Sequence, residues 1–375
     1  MSKILDYLKT LQDEMVERLA QWVNQESPTY HKPAVDKMGQ MTKQAFIEAG
    51  ASLTTTHTQT DYGDHYTMTY GEGTGQILTL NHFDTVWPLG ETSRRPFTIE
   101  DGYGKGPGVH DMKAGTLISL YALRAIHDLK LKPRRKLVYL LTGDEEVSSP
   151  TSRSIIETEG RRSNYCLVHE GAIDRGITVA RKGVGRFQLN VTGVAAHAGI
   201  EPEKGVSAIE ELARQTQYLH SLSDLNKGVS VNVGIISGGE RPNMIAPQAT
   251  AEIDLRISNP ADEATYLKRI MDIRPALIGS QLDIKGRMTR PPWSESMTDM
   301  TFFELAKTIS AQLGIPTEKR LSGGGSDGSF AAALGIPTLD GLGSIGGGAH
   351  ALTEHTTLDM LPVRAALTAE LIMAL

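Results

Sequence analysis

Three short apolar runs each lead directly into acids or a histidine. Gln76–Leu80 (QILTL) precedes His82 and Asp84, Lys136–Leu141 (KLVYLL) precedes Asp144, Glu145 and Glu146, and Tyr165–Val168 (YCLV) precedes Glu170. Runs of this length read as buried strands. Helical spacing lies between them, with Leu117, Leu120, Tyr121 and Leu123 grouped inside Lys113–Leu129, and a second helix is expected over Arg153–Glu159. Strand–helix–strand alternation predicts an α/β fold with a mostly parallel sheet. In such sheets ligands bind outside the carboxyl ends of the strands. Two further pieces of chain reach the same edge. Asp111 follows GYGKGPGVH at the start of the Lys113–Leu129 helix, and His350 follows the short strand Ile336–Leu339 through the glycine-rich loop GSIGGGAH.

The pattern changes near residue 183. Gly185–Thr192, Val229–Ile236, Ala249–Ile257 and Leu282–Met288 alternate as strands, while Val206–Leu222 and Pro260–Leu277 read as helices. The order βαββαβ is the ferredoxin-like pattern. The expected organisation is a catalytic domain over 1–182 and 291–375, with an inserted ferredoxin-like domain over 183–290. Helix–strand alternation resumes after the insertion, with Thr298–Leu313 helical. The first residues place Ile4, Leu8, Leu11, Met15, Leu19 and Trp22 on one helical face, interrupted by Asp6, Asp13, Glu14 and Glu17. That is not a secretory h-region. No stretch approaches the ~18 consecutive apolar residues of a membrane span.

Lys plus Arg number 38 and Asp plus Glu 44, a net charge of −6. An acidic chain is a poor general binder of nucleic acid, whose phosphates need a basic surface. Cys166 is the single cysteine, so no intrachain disulfide forms. A soluble, cytoplasmic protein is expected, with neither nucleic acid nor membrane as partner.

Carboxylates gathered in one cleft repel one another unless cations are present, because unpaired buried charges cost several kcal/mol each. Oxygen and imidazole donors without a usable thiolate suit zinc, with manganese or cobalt as substitutes. A shared carboxylate with a His and a Glu on each side would hold two ions roughly 3.5–4 Å apart. Taken singly, His82 reads as a satisfied histidine, and the Asp144–Glu146 triplet reads as a solvated turn. Their common position at strand ends is what argues for a site. Asp84 is either a loop cap or the partner that orients His82. His110, His169 and His355 read as neighbours, with His355 the obvious rival to His350. The glycine runs at Gly102–Gly108 and Gly323–Gly328 match neither the dinucleotide fingerprint nor the phosphate-loop pattern, which disfavours a nucleotide-binding protein.

Eight segments, NHFDTVWP, GYGKGPGVHDMKAG, LTGDEEVSSPTSR, LVHEGA, VTGVAAHAG, RPNMIAPQATAEIDLR, SGGGSDGSFAA and GSIGGGAH, run in order from about residue 76 to 350. As a set they resemble the co-catalytic zinc metallopeptidases. That family includes glutamate carboxypeptidase, aminoacylases, acetylornithine deacetylase and succinyl-diaminopimelate desuccinylase, and the wording is nearest the glutamate carboxypeptidase branch. The resemblance implies two zinc ions per subunit. His82, Asp111 and Glu170 would hold one, and Asp111, Glu146 and His350 the other, with Asp111 bridging. Glu145 would be the general base and Asp84 would orient His82. His197 would steady the developing oxyanion, often in the partner subunit's site. Arg256 and Asn243 would receive the substrate carboxylate, and Gly325 and Ser326 belong to the substrate-lining loop. Arg181, Lys182 and Arg290 are candidate extra cations for a glutamate side chain. The inserted domain would mediate a homodimer. The implied reaction is hydrolysis of the amide of an N-acyl amino acid or a C-terminal residue. An aminoacylase, deacetylase or dipeptidase with a different substrate is the alternative. Ala351 after the last His and His169 before Glu170 are departures that bear on subfamily and remove no ligand.

Overall fold

The computed structural model describes residues 2–375, which divide into two compact units. The first comprises residues up to Ala180, Glu295–Leu321 and Ser326–Leu375; the second comprises Arg181–Ser294 and Ser322–Gly325.

The first unit is built on a six-stranded mixed sheet in the order Ser52–His57, His65–Tyr70, Lys136–Thr142, Gln76–His82, Tyr165–Val168 and Thr338–Leu339. The last four strands are mutually parallel, and the first two pair antiparallel at one edge. Gln76–His82 is buried at every position, which is why its sequence reads as a continuous run. Successive side chains point to opposite faces. Ile77, Leu137, Tyr139, Leu141 and Leu167 enter one apolar layer, beneath helices Lys3–Thr10, Gln12–Asn24, Ala114–Asp128 and Leu361–Ala374. Leu78, Leu80, Val138, Leu140, Cys166 and Val168 enter the other, against Ile156 and Phe330. Each fully buried aliphatic side chain contributes about 1.5–3 kcal/mol of transfer free energy, so both faces hold the sheet. With the strand ends fixed in this way, the loops carrying His82, Glu145, Glu146 and Glu170 emerge at one edge.

In the first unit, two features lie outside the sequence expectation. The first helical pattern is two helices, joined at Leu11 with φ −99° and ψ 4°. A one-residue break hardly shifts the phase of the apolar face, so periodicity runs through it. A second sheet of short strands, ordered Gly346–Gly347, His355–Thr357, Tyr103–Lys105 and Thr98–Glu100, carries the loop containing His350.

The second unit is a four-stranded antiparallel sheet in the order Ser230–Gly238, Gln248–Ile257, Gly183–Thr192 and Gln281–Arg290. Its helices, Ala208–Ser221 and Glu263–Met271, contribute Leu212, Leu219, Tyr266 and Ile270 to a core with Leu189, Val191, Ile253 and Leu255. The element order is βαββαβ. The second helix ends at Met271 rather than running toward Leu277. Pro275 lies four residues beyond its end and cannot continue an α-helix. The chain instead wraps the buried carboxylate of Glu211, which accepts hydrogen bonds from Ala276 N, Leu277 N and Ser280 Oγ.

Candidate metal centre

Asp111 joins the parts of the site. It lies in the irregular turn Val109–Lys113 that feeds helix Ala114–Asp128, and the Asp111–Met112 peptide is cis. Its Oδ1 is 3.2 Å from His82 Nε2, and its Oδ2 is 3.3 Å from His350 Nε2. His82 Nε2 also lies 3.6 Å from Glu170 Oε1, and His350 Nε2 lies 3.1 Å from Glu146 Oε2. The structure thus gathers His82, Asp111, Glu146, Glu170 and His350 around one carboxylate with an oxygen turned to each side. Donor atoms of His82, Glu145 and Glu170 fall within 4.8 Å of one another, as do those of His82, Asp111 and Glu146.

Local structure explains the placements. Asp84 is fully buried. It accepts hydrogen bonds from Thr29 Oγ1 at 2.8 Å and from Glu145 N and Glu146 N, each at 3.2 Å. Its Oδ1 stands 3.3 Å from His82 Nδ1, whose closest acceptor is the Asp84 carbonyl at 3.1 Å. One carboxylate therefore fixes both the imidazole and the turn bearing the two glutamates. Asp144 accepts from Thr151 N, Thr151 Oγ1 and Ser152 N at 2.7–3.1 Å, and so holds the segment that leads into helix Arg153–Arg161. Gly115, in the first turn of the helix after Asp111, has no space for a side chain, since a Cβ would lie 1.8 Å from the His169 carbonyl oxygen. That close approach seats the helix against the strand that delivers Glu170.

Glu354 has no counterpart in the sequence reading. It is buried, and its Oε1 accepts from His110 N at 2.9 Å and Asp111 N at 3.0 Å. Its Oε2 accepts from Gly108 N at 2.8 Å and Trp87 Nε1 at 3.0 Å. It holds the turn on which Asp111 stands. Its neighbour His355 is directed to the Thr353 carbonyl and stacks edge-on against Tyr103. His110 bonds Ser344 Oγ at 3.0 Å, and His169 approaches Thr368 Oγ1 at 3.3 Å. None of these three histidines takes part in the cluster.

The remaining predicted residues are placed as follows. The Ser326 hydroxyl donates to Asp340 Oδ2 at 2.6 Å and accepts from Gly328 N at 3.1 Å. In the second unit, His197 is exposed and its Nδ1 accepts from Gly199 N and Ile200 N. His197 pairs with Met244 in an isolated bridge, and the adjacent Asn243 carbonyl accepts from Ala198 N at 3.0 Å. Half-buried Arg256 donates from Nε and Nη2 to the two oxygens of Asp254, at 2.8 and 3.1 Å, and from Nη1 to Gly323 O at 3.3 Å. Gly325 packs against Arg290 and Val184. Arg181 bonds Ser322 Oγ and Gly324 O.

The electrostatics fit divalent cations. Burial and the adjacent Asp111 charge push Glu146 up to about 8, and the same causes hold Glu170 well above the ordinary carboxylate range. Burial would also raise Asp111, but hydrogen bonds from His350 and His82 hold it below that range. His350 is raised to about 11 by Asp111 and Glu146, while His82 is raised by Asp111 and Asp84 against the opposing effect of burial. Glu146 Oε1 is buried with no hydrogen-bond partner. An orphaned carboxylate oxygen inside an oxygen–imidazole donor set is what a hard or borderline divalent ion would complete. Cys166, buried in the sheet core, offers no thiolate.

A proton balance follows. Donors with raised pKa carry protons at neutral pH in the metal-free protein, and coordination requires them bare. Zinc binding at pH 7 is expected to release roughly one proton or more per molecule, and apparent affinity should fall as pH falls, because burial and the Asp111 charge push Glu146 up, and Asp111 and Glu146 push His350 up, so both hold protons the ion must displace. Calorimetry in two buffers of different ionisation enthalpy measures the release. Identical heats in both buffers would contradict this account.

Comparison with known proteins bears on the same segments. A sequence profile described as peptidase family M20/M25/M40 matches residues 78–374. Carboxypeptidase G2 from Pseudomonas sp. (strain RS-16) is 29% identical over 312 residues, which is 81% of this chain and 75% of that protein. The solved structure of aminopeptidase PepT from Bacillus cereus has a TM-score of 0.78 at 22% identity, covering 96% of this chain and 98% of that one. The YXEP protein of Bacillus subtilis, described as a dinuclear metal binding peptidase, has a TM-score of 0.73 at 16% identity and covers 98% of each chain. The two structural likenesses carry the fold: an α/β unit with a mostly parallel sheet and a separate antiparallel sheet.

Proposed function

The chain belongs to the peptidase family M20/M25/M40 and is a metallo-hydrolase, and from that premise we propose that it cleaves the amide bond of an N-acyl amino acid or C-terminal residue bearing a free carboxylate. The observation that carries the reading is the convergence of His82, Asp111, Glu146, Glu170 and His350, with the Glu145 carboxylate beside them. These five side chains would hold two divalent ions, zinc by the character of the donors. When bound, such ions polarise an amide carbonyl and acidify a water molecule.

The other steps belong to the protein. Glu145 accepts the proton that the attacking water gives up, then delivers it to the leaving amine nitrogen. Asp84 keeps the His82 ring and the Glu145 backbone in register. Arg256 receives the substrate carboxylate, with Asn243 as an accompanying donor and His197 at the developing oxyanion; Gly325 and Ser326 line the substrate. A guanidinium fork suits a carboxylate, and Asp254 already fixes the plane of Arg256. The second unit also mediates a homodimer in this proposal. Its strand Ser230–Gly238 is at the sheet edge, and Ile235 and Ile236 there are 58% and 63% exposed.

The test is a panel of N-acyl amino acids, dipeptides and folates incubated with zinc-loaded protein, with the freed amine identified by mass spectrometry. Release of an amino acid that stops on chelation is the expected result. No release from any member, with metal content verified, would refute the proposed reaction.

A further inference from the structure

A cleft of about 540 Å³ opens beside Glu146, within the first unit. Its apolar walls are Tyr30, Val86, Trp87, Pro88, Leu89 and Val147. Tyr30, Val86 and Leu89 are 79%, 43% and 47% exposed, an unusual grouping of large apolar side chains on a loop surface.

Three polar groups along this cleft are directed to partners within the protein. Thr29 Oγ1 donates to Asp84, and Trp87 Nε1 donates to Glu354 Oε2. His31 Nδ1 accepts from Ala34 N. The Trp87 ring is also held by the Arg95 guanidinium, 4.2 Å from its centroid. The indole is thus fixed by its N–H and by one cation, and it presents a rigid apolar surface. No lysine or arginine is among the described residues lining the cleft. A free carboxylate entering it would lose hydration and find no cation, which is costly. An uncharged apolar group would gain contact on several sides. Because Glu146 lines the cleft, a group held here lies beside the candidate metal centre.

We propose that this cleft is the subsite for the acyl side of the scissile amide, and that it selects an uncharged apolar group of aromatic-ring size. The inference rests on amide hydrolysis at the neighbouring centre. The carboxylate-bearing amine side must then be recognised elsewhere, by a cation that this cleft lacks.

The experiment compares N-benzoyl and N-acetyl derivatives of the same amino acid. For the wild type, kcat/KM for the benzoyl compound should exceed that for the acetyl compound by about 10-fold or more, the scale of discrimination an apolar pocket provides. Leu89→Asp places a charge on an exposed wall position and should bring the ratio toward one. Binding of the same pair to the zinc-loaded Glu145→Gln variant, read by tryptophan fluorescence and calorimetry, repeats the contrast without turnover. Preferential benzoyl binding that Leu89→Asp abolishes supports the subsite even if the wild type hydrolyses neither compound, an outcome that would fault the reaction alone. Equal binding of the two compounds, or a preference that Leu89→Asp leaves intact, overturns the subsite whether or not hydrolysis occurs.

Discussion

Glu145→Gln is expected to retain both metal ions and lose roughly 10²–10⁴-fold in turnover, the range that general acid–base groups contribute. The substitution preserves size and removes the basic oxygen. The main chain at this position is held by Asp84 through the Glu145 N–H, at 3.2 Å, a bond that the substitution leaves in place. The experiment also separates two roles that the geometry brings close together. The Glu145 carboxylate lies within 4.8 Å of donor atoms on His82 and Glu170. If it were a ligand, the glutamine variant would lose metal as well as rate. Metal analysis beside kcat therefore distinguishes a base from a ligand, and wild-type turnover in the variant would exclude both.

Asp111→Asn is expected to act on metal content first. The two carboxylate oxygens of Asp111 face different imidazoles, at 3.2 Å and 3.3 Å. An asparagine offers an acceptor on one side only and turns N–H donors toward the other. Bound zinc should fall from two ions to at most one. Activity should drop by more than the roughly 10–100-fold seen when only an outer partner of a metal ligand is removed. Full occupancy of both positions in the variant, measured by elemental analysis after dialysis, would show that Asp111 does not bridge.

Much of this architecture is legible in the sequence because burial on both faces leaves a simple trace. Gln76–His82 and Lys136–Thr142 are almost wholly buried, so their residues form apolar runs, and the acids that follow mark the sheet edge. Ser52–His57 is different. Five of its six residues are exposed, and its sequence SLTTTH has no apolar face to detect. The sheet that supports His350 is built from strands of two or three residues, too short for any period to register. Glu354 is hidden for another reason. Its partners are mainly backbone N–H groups almost 250 positions away, and backbone donors leave no mark on residue type.

The four hydrogen bonds accepted by Glu354 also constrain how such an enzyme could diversify. The same carboxylate grips the indole of Trp87 and the main chain at Asp111. A replacement at Trp87 that reshaped the cleft would take from the buried Glu354 carboxylate one of its four donors, next to Asp111. Changes to the cleft are therefore channelled toward Val86 and Leu89, which border the same space without sharing that bond, and substitutions there leave the support of Asp111 intact.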